Sequence, residues 1–251
     1  MKRGQVTIFI IVGILVVATI VLFFLFRQGI IPGIPGVKDE NPEASLDSCI
    51  EGKIKETIEV ISLQGGYVEN TLGLVLDGKN ISFLCYTDNY YLPCINQEPV
   101  LIQHLKKEIK KGISMDVKNC FDSLTNSLSK KGYAVDADYR DFEIILAPGR
   151  VIVDIDAELS LTKANEFSKE ENFVVAVPSR IYDLGIVAQE IVAQEAKWCN
   201  FETVGFMLLY NDFNIKKFET GELNTVYTIT HKKTGEEFKF AVRGCVIPPG
   251  F

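Results

Sequence analysis

Histidine is nearly absent from this 251-residue chain, with His104 and His231 the only two. A general base that works near neutral pH therefore has few candidates, and neither histidine stands in an H-E-x-x-H pair. No G-x-S-x-G elbow, Walker loop or G-x-G-x-x-G fingerprint occurs, which removes the usual sequence grounds for an α/β-hydrolase, a P-loop NTPase or a dinucleotide enzyme. Lysines follow both histidines closely, at 106 and 107 and at 232 and 233, so both are expected at the surface without a catalytic part. The six cysteines include no C-x-x-C pair, which argues against a zinc ribbon or a thioredoxin-like redox site. Basic charge is also short. Lys2, Arg3 and Arg27 take three of the 26 basic groups, leaving 23 from residue 28 onward against 33 acidic ones, a net of −10. Such a segment is repelled by phosphate backbones, and nucleic-acid binding is excluded as a reading.

Charge of either sign is missing from Gly4 to Phe26, a run of Ile, Val, Leu, Phe and small residues. As a helix this run would reach about 34 Å, enough to cross a hydrocarbon core of about 30 Å. It ends at Phe23-Phe24-Leu25-Phe26-Arg27 without a small-x-small cleavage site, so residues 1–27 are expected to be an uncleaved signal anchor in the lipid bilayer. Lys2, Arg3 and the amino terminus lie on one side of the run, Arg27 and Lys38 on the other. The positive-inside bias favours a cytoplasmic N-terminus and a single-pass protein of the cell membrane, with the remainder outside. Gly29, Pro32, Gly33, Pro35 and Gly36 stop the helix near Arg27, and residues 28–44 read as a Pro/Gly and acidic linker.

The opening Lys2-Arg3-Gly4-Gln5-Val6-Thr7-Ile8-Phe9 resembles the class III, prepilin-type signal of archaea. That resemblance implies processing between Gly4 and Gln5 and entry into a surface filament. The sequence departs from the pilin pattern at the fifth mature position, where the usual Glu is Phe9. The linker also interrupts the long helix on which filament packing depends. The same opening is similar to that of uncharacterised single-pass membrane proteins of small-genome archaea, as are Gln64-Gly65-Gly66-Tyr67 and Tyr91-Leu92-Pro93-Cys94.

With 47% apolar and 10% aromatic residues overall, 45–251 is expected to fold, as one extracytoplasmic domain or as two subdomains dividing near 132. Leu46, Ile50, Ile54, Ile58 and Ile61 form one helical stripe, with Ser48 and Glu51 in capping-box spacing and Gly65-Gly66 at the end. Strands are expected at 72–76 and 80–86 about Asp77-Gly78. A second helix from Pro99 to about Leu128, continuous or kinked, keeps one apolar face through Gly112. A hairpin at 142–147 and 150–158 turns at Pro148-Gly149, with Ala147 paired to Arg150. A strand at 173–177 precedes a helix opened by Pro178 that carries Ile181, Leu184, Ala188, Ile191 and Trp198 on one side. Strands near 204–210, 226–231 and 237–242 complete an α+β domain of helices packed on mainly antiparallel sheet. The repeat of Ile186-Val-Ala-Gln-Glu as Ile191-Val-Ala-Gln-Glu is too short to be an array.

An even number of cysteines on the exported side reads as disulfides. The favoured pairs are Cys85–Cys94 closing a local loop, Cys49–Cys120 joining the first two helices, and Cys199–Cys245 tying the third helix to the last strand. The loop between Cys85 and Cys94 contains Tyr86, Asp88, Asn89, Tyr90 and Tyr91 and suits recognition, because tyrosine offers contact area at low entropy cost. Asp141, Glu143, Asp154, Asp156 and Glu158 gather on one hairpin face, where close carboxylates call for calcium or for basic neighbours such as Arg140 and Lys163. No other cofactor is implied. Glu195 falls on the stripe between Ile191 and Trp198 and is expected to be a paired structural carboxylate, while Glu190 lies on another face. Asn80-Ile81-Ser82 is a glycosylation sequon. The expected function is non-catalytic interaction with a protein partner in the envelope, or envelope structure. A prepilin-like subunit is the alternative, and an envelope hydrolase that uses carboxylates the third.

Overall fold

The computed structural model describes residues 42–69, 72–164 and 166–247. The apolar run Gly4–Phe26, the pair Gly4 and Gln5 and linker residues 28–41 lie outside the described residues. Among the described residues no helix is long and apolar enough to cross a membrane.

Helix α1 spans Pro42–Leu63 and buries Leu46, Ile50, Ile54, Ile58 and Ile61. It begins earlier than the capping-box spacing suggests and takes in the last three residues expected of the linker. Proline costs a helix nothing in its first turn, where its missing amide would be unpaired, and Glu43 suits the amino end. Ser48 is not a cap: its hydroxyl donates to the Ser45 carbonyl within the helix, at 3.0 Å. The helix closes at two glycines with positive φ, Gly65 and Gly66, and the Gly66 amide donates to the Ile61 carbonyl. Helix α2, Leu101–Lys130, is continuous and packs along α1. Their close approach is set at Gly112, where an added Cβ would come within 2.6 Å of Thr57 Cγ2.

Strands β1 (Gly73–Leu76), β2 (Lys79–Tyr86), β3 (Ile95–Asn96), β7 (Phe213–Glu219), β8 (Thr225–His231) and β9 (Glu237–Arg243) form one sheet in the order β1-β2-β9-β8-β7, with β3 paired to β2. Strand β2 runs parallel to β9, and the other pairs are antiparallel. Strands β4 (Ala134–Ala147), β5 (Arg150–Lys163) and β6 (Glu166–Pro178) form a separate antiparallel meander. The expected register holds, with Ala147 opposite Arg150, so Phe142, Ile144, Val151, Val153 and Ile155 share the buried face. All three strands run further than expected. Their far halves are polar on exposed faces, and the ladder continues there on backbone bonds and a narrower apolar stripe of Ala157, Leu159 and Leu161.

Helix α3, Ile181–Trp198, packs on β8 and β9, and helix α1 on β6 and β9. One continuous apolar core takes in α1, α2, α3, the inner face of the meander and the inner face of the larger sheet. The domain is α+β. Two expectations fail at the carboxyl-terminal side. Residues Thr203–Leu209 are a helix, α4, where a strand at 204–210 was expected. The Glu202 side chain accepts from the Val204 and Gly205 amides, and that cap overrides the strand preference of a Val, Phe and Leu run. Trp198 is exposed, because the buried stripe of α3 ends at Ile191, Val192 and Glu195, one turn short of it.

Candidate recognition loop and acidic sheet face

All six cysteines are paired as expected: Cys49–Cys120, Cys85–Cys94 and Cys199–Cys245, with Cα separations of 5.9, 5.3 and 5.8 Å. The second pair closes the tyrosine loop at its base, where Cys85 and Tyr86 also pair with Asn96 and Ile95 across β2 and β3. The residues after β9 clasp the loop from its other side. Thr87 donates its amide to the Arg243 carbonyl, Tyr91 to Val246, and Cys245 back to the Leu92 carbonyl. The Arg243 guanidinium donates to the Thr87 carbonyl and lies 5.9 Å from the centres of both the Tyr86 and Tyr90 rings. Gly244 fits where a Cβ would come within 2.9 Å of Cys94 Cβ. Because Cys245 is bonded to Cys199 at the end of α3, two disulfides hold the loop between a strand and a helix.

That bracing lets the loop keep Tyr91 at a φ of 64°, a conformation a tyrosine adopts only when its surroundings impose it. The side chains divide cleanly. Thr87 is buried and Tyr86 packs on Phe83, with ring centres 5.0 Å apart. Asp88, Asn89, Tyr90, Tyr91 and Leu92 face solvent, with Tyr91 56% exposed and adjacent Ile95 70% exposed. One tyrosine thus serves the sheet beneath and two are displayed. The loop offers a fixed apolar and hydroxyl-bearing surface, and its Asn89 amide is turned inward to the Thr87 hydroxyl.

The acidic face forms in the expected register, with Asp141 opposite Asp156 and Glu143 opposite Asp154. Its neighbours include more basic groups than the sequence suggested. A bulge at Arg140 breaks the β4–β5 register between Tyr139 and Asp141 and inserts one residue at that point. The Arg140 guanidinium donates to Asp138 at 3.1 Å, to Asp156 at 2.6 Å and to Glu158 at 3.3 Å. Lys169 on β6 bridges Glu158 and Glu171, and Lys110 on α2 reaches Asp141 at 2.8 Å. The Lys110 ammonium holds Asp141 below the ordinary aspartate value, and Lys169 does the same for Glu171. Lys163, expected as a neighbour, lies instead over the Tyr133 ring, 4.4 Å from its centre. Among the described residues no group of three or more histidine, cysteine or carboxylate side chains is arranged to hold a metal ion.

Both histidines correct the expectation of surface placement. His231 is buried, its Nδ1 3.0 Å from the Thr234 hydroxyl and its ring against Phe213. His104 is largely covered, with Nε2 3.0 Å from the Gly66 carbonyl and Nδ1 3.4 Å from Glu98. The lysines beside each histidine in sequence point elsewhere: a helix or strand turns neighbouring side chains to different faces. Glu195 is 6% exposed and paired as expected: the Tyr227 hydroxyl donates to it and Lys217 Nζ lies at 3.7 Å. Burial first, and the adjacent carboxylate second, push the Tyr227 phenol far above the ordinary tyrosine value. Asn80 of the sequon is exposed on β2, while the Ser82 hydroxyl is buried and donates to the Gln64 carbonyl at 2.6 Å.

A cleft of about 550 Å³ opens between the last turns of α1 and the β8–β9 turn, with Lys55, Glu59, Ser179, Glu236 and Glu237 on its walls. Its acids do come from separate elements, but two are engaged structurally. Glu236 accepts from the Ser179 hydroxyl and the Arg180 amide, and Glu237 from the Thr230 hydroxyl. No family model, curated protein or solved structure matches this chain.

Proposed function

We propose that this protein is a membrane-anchored, extracytoplasmic binding module whose clasped tyrosine loop meets a protein partner in the cell envelope. The loop's bracing carries the reading: two disulfides and three backbone hydrogen bonds fix a segment whose Tyr90, Tyr91 and Leu92 side chains remain uncovered. A loop ordered before binding gives up little entropy on complex formation, and exposed tyrosines are effective anchors. Three cysteine pairs with no free thiol among the described residues suit an oxidising compartment, and the uncharged run Gly4–Phe26 suits a bilayer.

The intact mass of the native protein, taken from membranes before and after reduction, tests the location. A gain of about six daltons on reduction and a retained N-terminus support the proposal. Free thiols in the native protein overturn it, and a chain that begins at Gln5 favours the prepilin-like alternative. Photo-crosslinking from position 91 in intact cells tests the binding surface. The expected adduct is one discrete partner that a Tyr90→Ala variant no longer captures.

A further inference from the structure

Helix α4 turns part of its apolar side chains to solvent. Leu208 is 79% and Leu209 81% exposed, and Val204 and Tyr210 are uncovered beside them. Trp198 is exposed too, four residues before the Glu202 cap. Single exposed apolar residues are ordinary, but five within the thirteen residues from Trp198 to Tyr210 are not. The exposure does not come from a loosely held segment. Behind the tip, Phe206 packs on Phe201 and Tyr210 at 5.3 and 4.6 Å between ring centres, and the Ile215 amide donates to the Met207 sulfur.

Lysines slightly outnumber acids around this tip, with Lys197, Lys232 and Lys233 against Glu202 and Asp212. Lys197 lies over the Trp198 ring, 4.5 Å from its centre, and the Lys232 ammonium donates to the Asn211 carbonyl just past Tyr210. Among the described residues neither Lys197 nor Lys232 has a carboxylate partner. The nearby acids are occupied, Asp212 by Lys233 and Glu202 by the first amides of α4. Two ammonium groups outside any described ion pair, two aromatic side chains with polar edges and a leucine pair make up the composition that settles at a bilayer interface.

We propose that α4 is a membrane-contact tip, with Leu208, Leu209 and Val204 entering the interface of an anionic bilayer and Lys197 and Lys232 meeting its headgroups. The inference rests on the reading of Gly4–Phe26 as a span, because the span keeps a weak contact at high effective concentration. Tether length permits the contact. Residues 28–41 reach at most about 50 Å at about 3.5 Å each, against a diameter of about 43 Å for a compact domain of about 200 residues. A tether of that length, which must pass around the domain, lets all but the faces nearly opposite its attachment touch the bilayer.

Trp198 is the chain's single tryptophan, so its emission reports on this tip alone. The full chain is reconstituted in vesicles of roughly three parts phosphatidylcholine to one part phosphatidylglycerol, with brominated acyl chains as quencher. Trp198 should lose emission to the brominated lipid, and Leu208→Glu/Leu209→Glu should restore it. In case that pair disturbs folding, Lys197→Glu/Lys232→Glu leaves the apolar tip intact and should abolish the dependence on phosphatidylglycerol. Unquenched Trp198 in a chain that resists carbonate extraction overturns the tip and leaves the span standing. A chain that carbonate removes overturns the span instead. An emission change that follows protein concentration in detergent, and not lipid, assigns the patch to a second copy and also overturns the proposal.

Discussion

Removing the disulfide that joins the two long helices gives the sharpest test of how this domain is held together. Cys49–Cys120 closes a loop of 71 residues, Cys199–Cys245 one of 46, and Cys85–Cys94 one of 9. If each acts by restricting the unfolded chain, the stabilisation is about 4.4, 4.0 and 2.6 kcal/mol in that order. For a domain of about 200 residues the unfolding entropy is about 0.42 kcal/mol per kelvin, so Cys49→Ala/Cys120→Ala should lower Tm by about 10 °C. The same reasoning gives about 6 °C for Cys85→Ala/Cys94→Ala, although that pair is the one at the exposed loop. Circular dichroism melts at matched protein and detergent concentration read both values. A larger shift for the short loop than for the long one would refute the unfolded-chain argument. It would mean that the clasp around the tyrosines carries folded-state strain or packing that its loop length does not express.

The remaining outcomes follow from particular contacts. Tyr227→Phe leaves the buried Glu195 carboxylate with Lys217 as its one partner among the described residues and should cost about 1–3 kcal/mol in urea denaturation. Because the folded Tyr227 phenol sits above its ordinary value of 10.0, its stabilisation is complete below that pH and is lost as pH rises beyond it. The wild-type midpoint should therefore fall above about pH 10, and the phenylalanine variant should fall less. Gly112→Ala places a methyl group against Thr57 and should destabilise by about 1–3 kcal/mol, with Thr57→Ala recovering most of the loss in a double-mutant cycle. Arg140→Ala removes the cation shared by Asp138, Asp156 and Glu158, so its melt should fall at low ionic strength and approach wild type in molar salt. Added calcium should raise the midpoint of that variant more than of the wild type, since the freed carboxylates then have room for a divalent ion.

The parts of this fold that were legible in the sequence are those where one residue pattern has a single packing solution. The isoleucines of α1 recur at helical spacing and all are buried, and Pro148-Gly149 leaves one register that keeps Phe142, Ile144, Val153 and Ile155 on one face. Cysteine pairing followed from which elements had to pack together. Strand β7 was not foreseen because it lies at the sheet edge and its Lys216-Lys217 pair masks the alternation around Ile215. Helix α4 was mistaken for a strand because Glu202, whose cap decides the matter, looks like an ordinary surface acid. The salt-bridge pattern on the acidic face depended on a one-residue bulge, which no periodicity announces. The tyrosine loop was visible as a composition, but its clasp by Arg243–Val246 joins residues more than 150 positions apart.

The parallel pairing of β2 with β9 also sets a schedule for the chain's birth. β2 is made early, yet its partner β9 follows about 150 residues later, so the larger sheet cannot close until every element between them has left the ribosome. In the meantime the α1–α2 pair and the β4–β6 meander consist of near neighbours in sequence and can form quickly, while β2 waits with an open edge. A chain truncated before Glu237 should therefore keep its helices and meander but leave β2 unpaired on that side, an aggregation-prone species at which quality control would act.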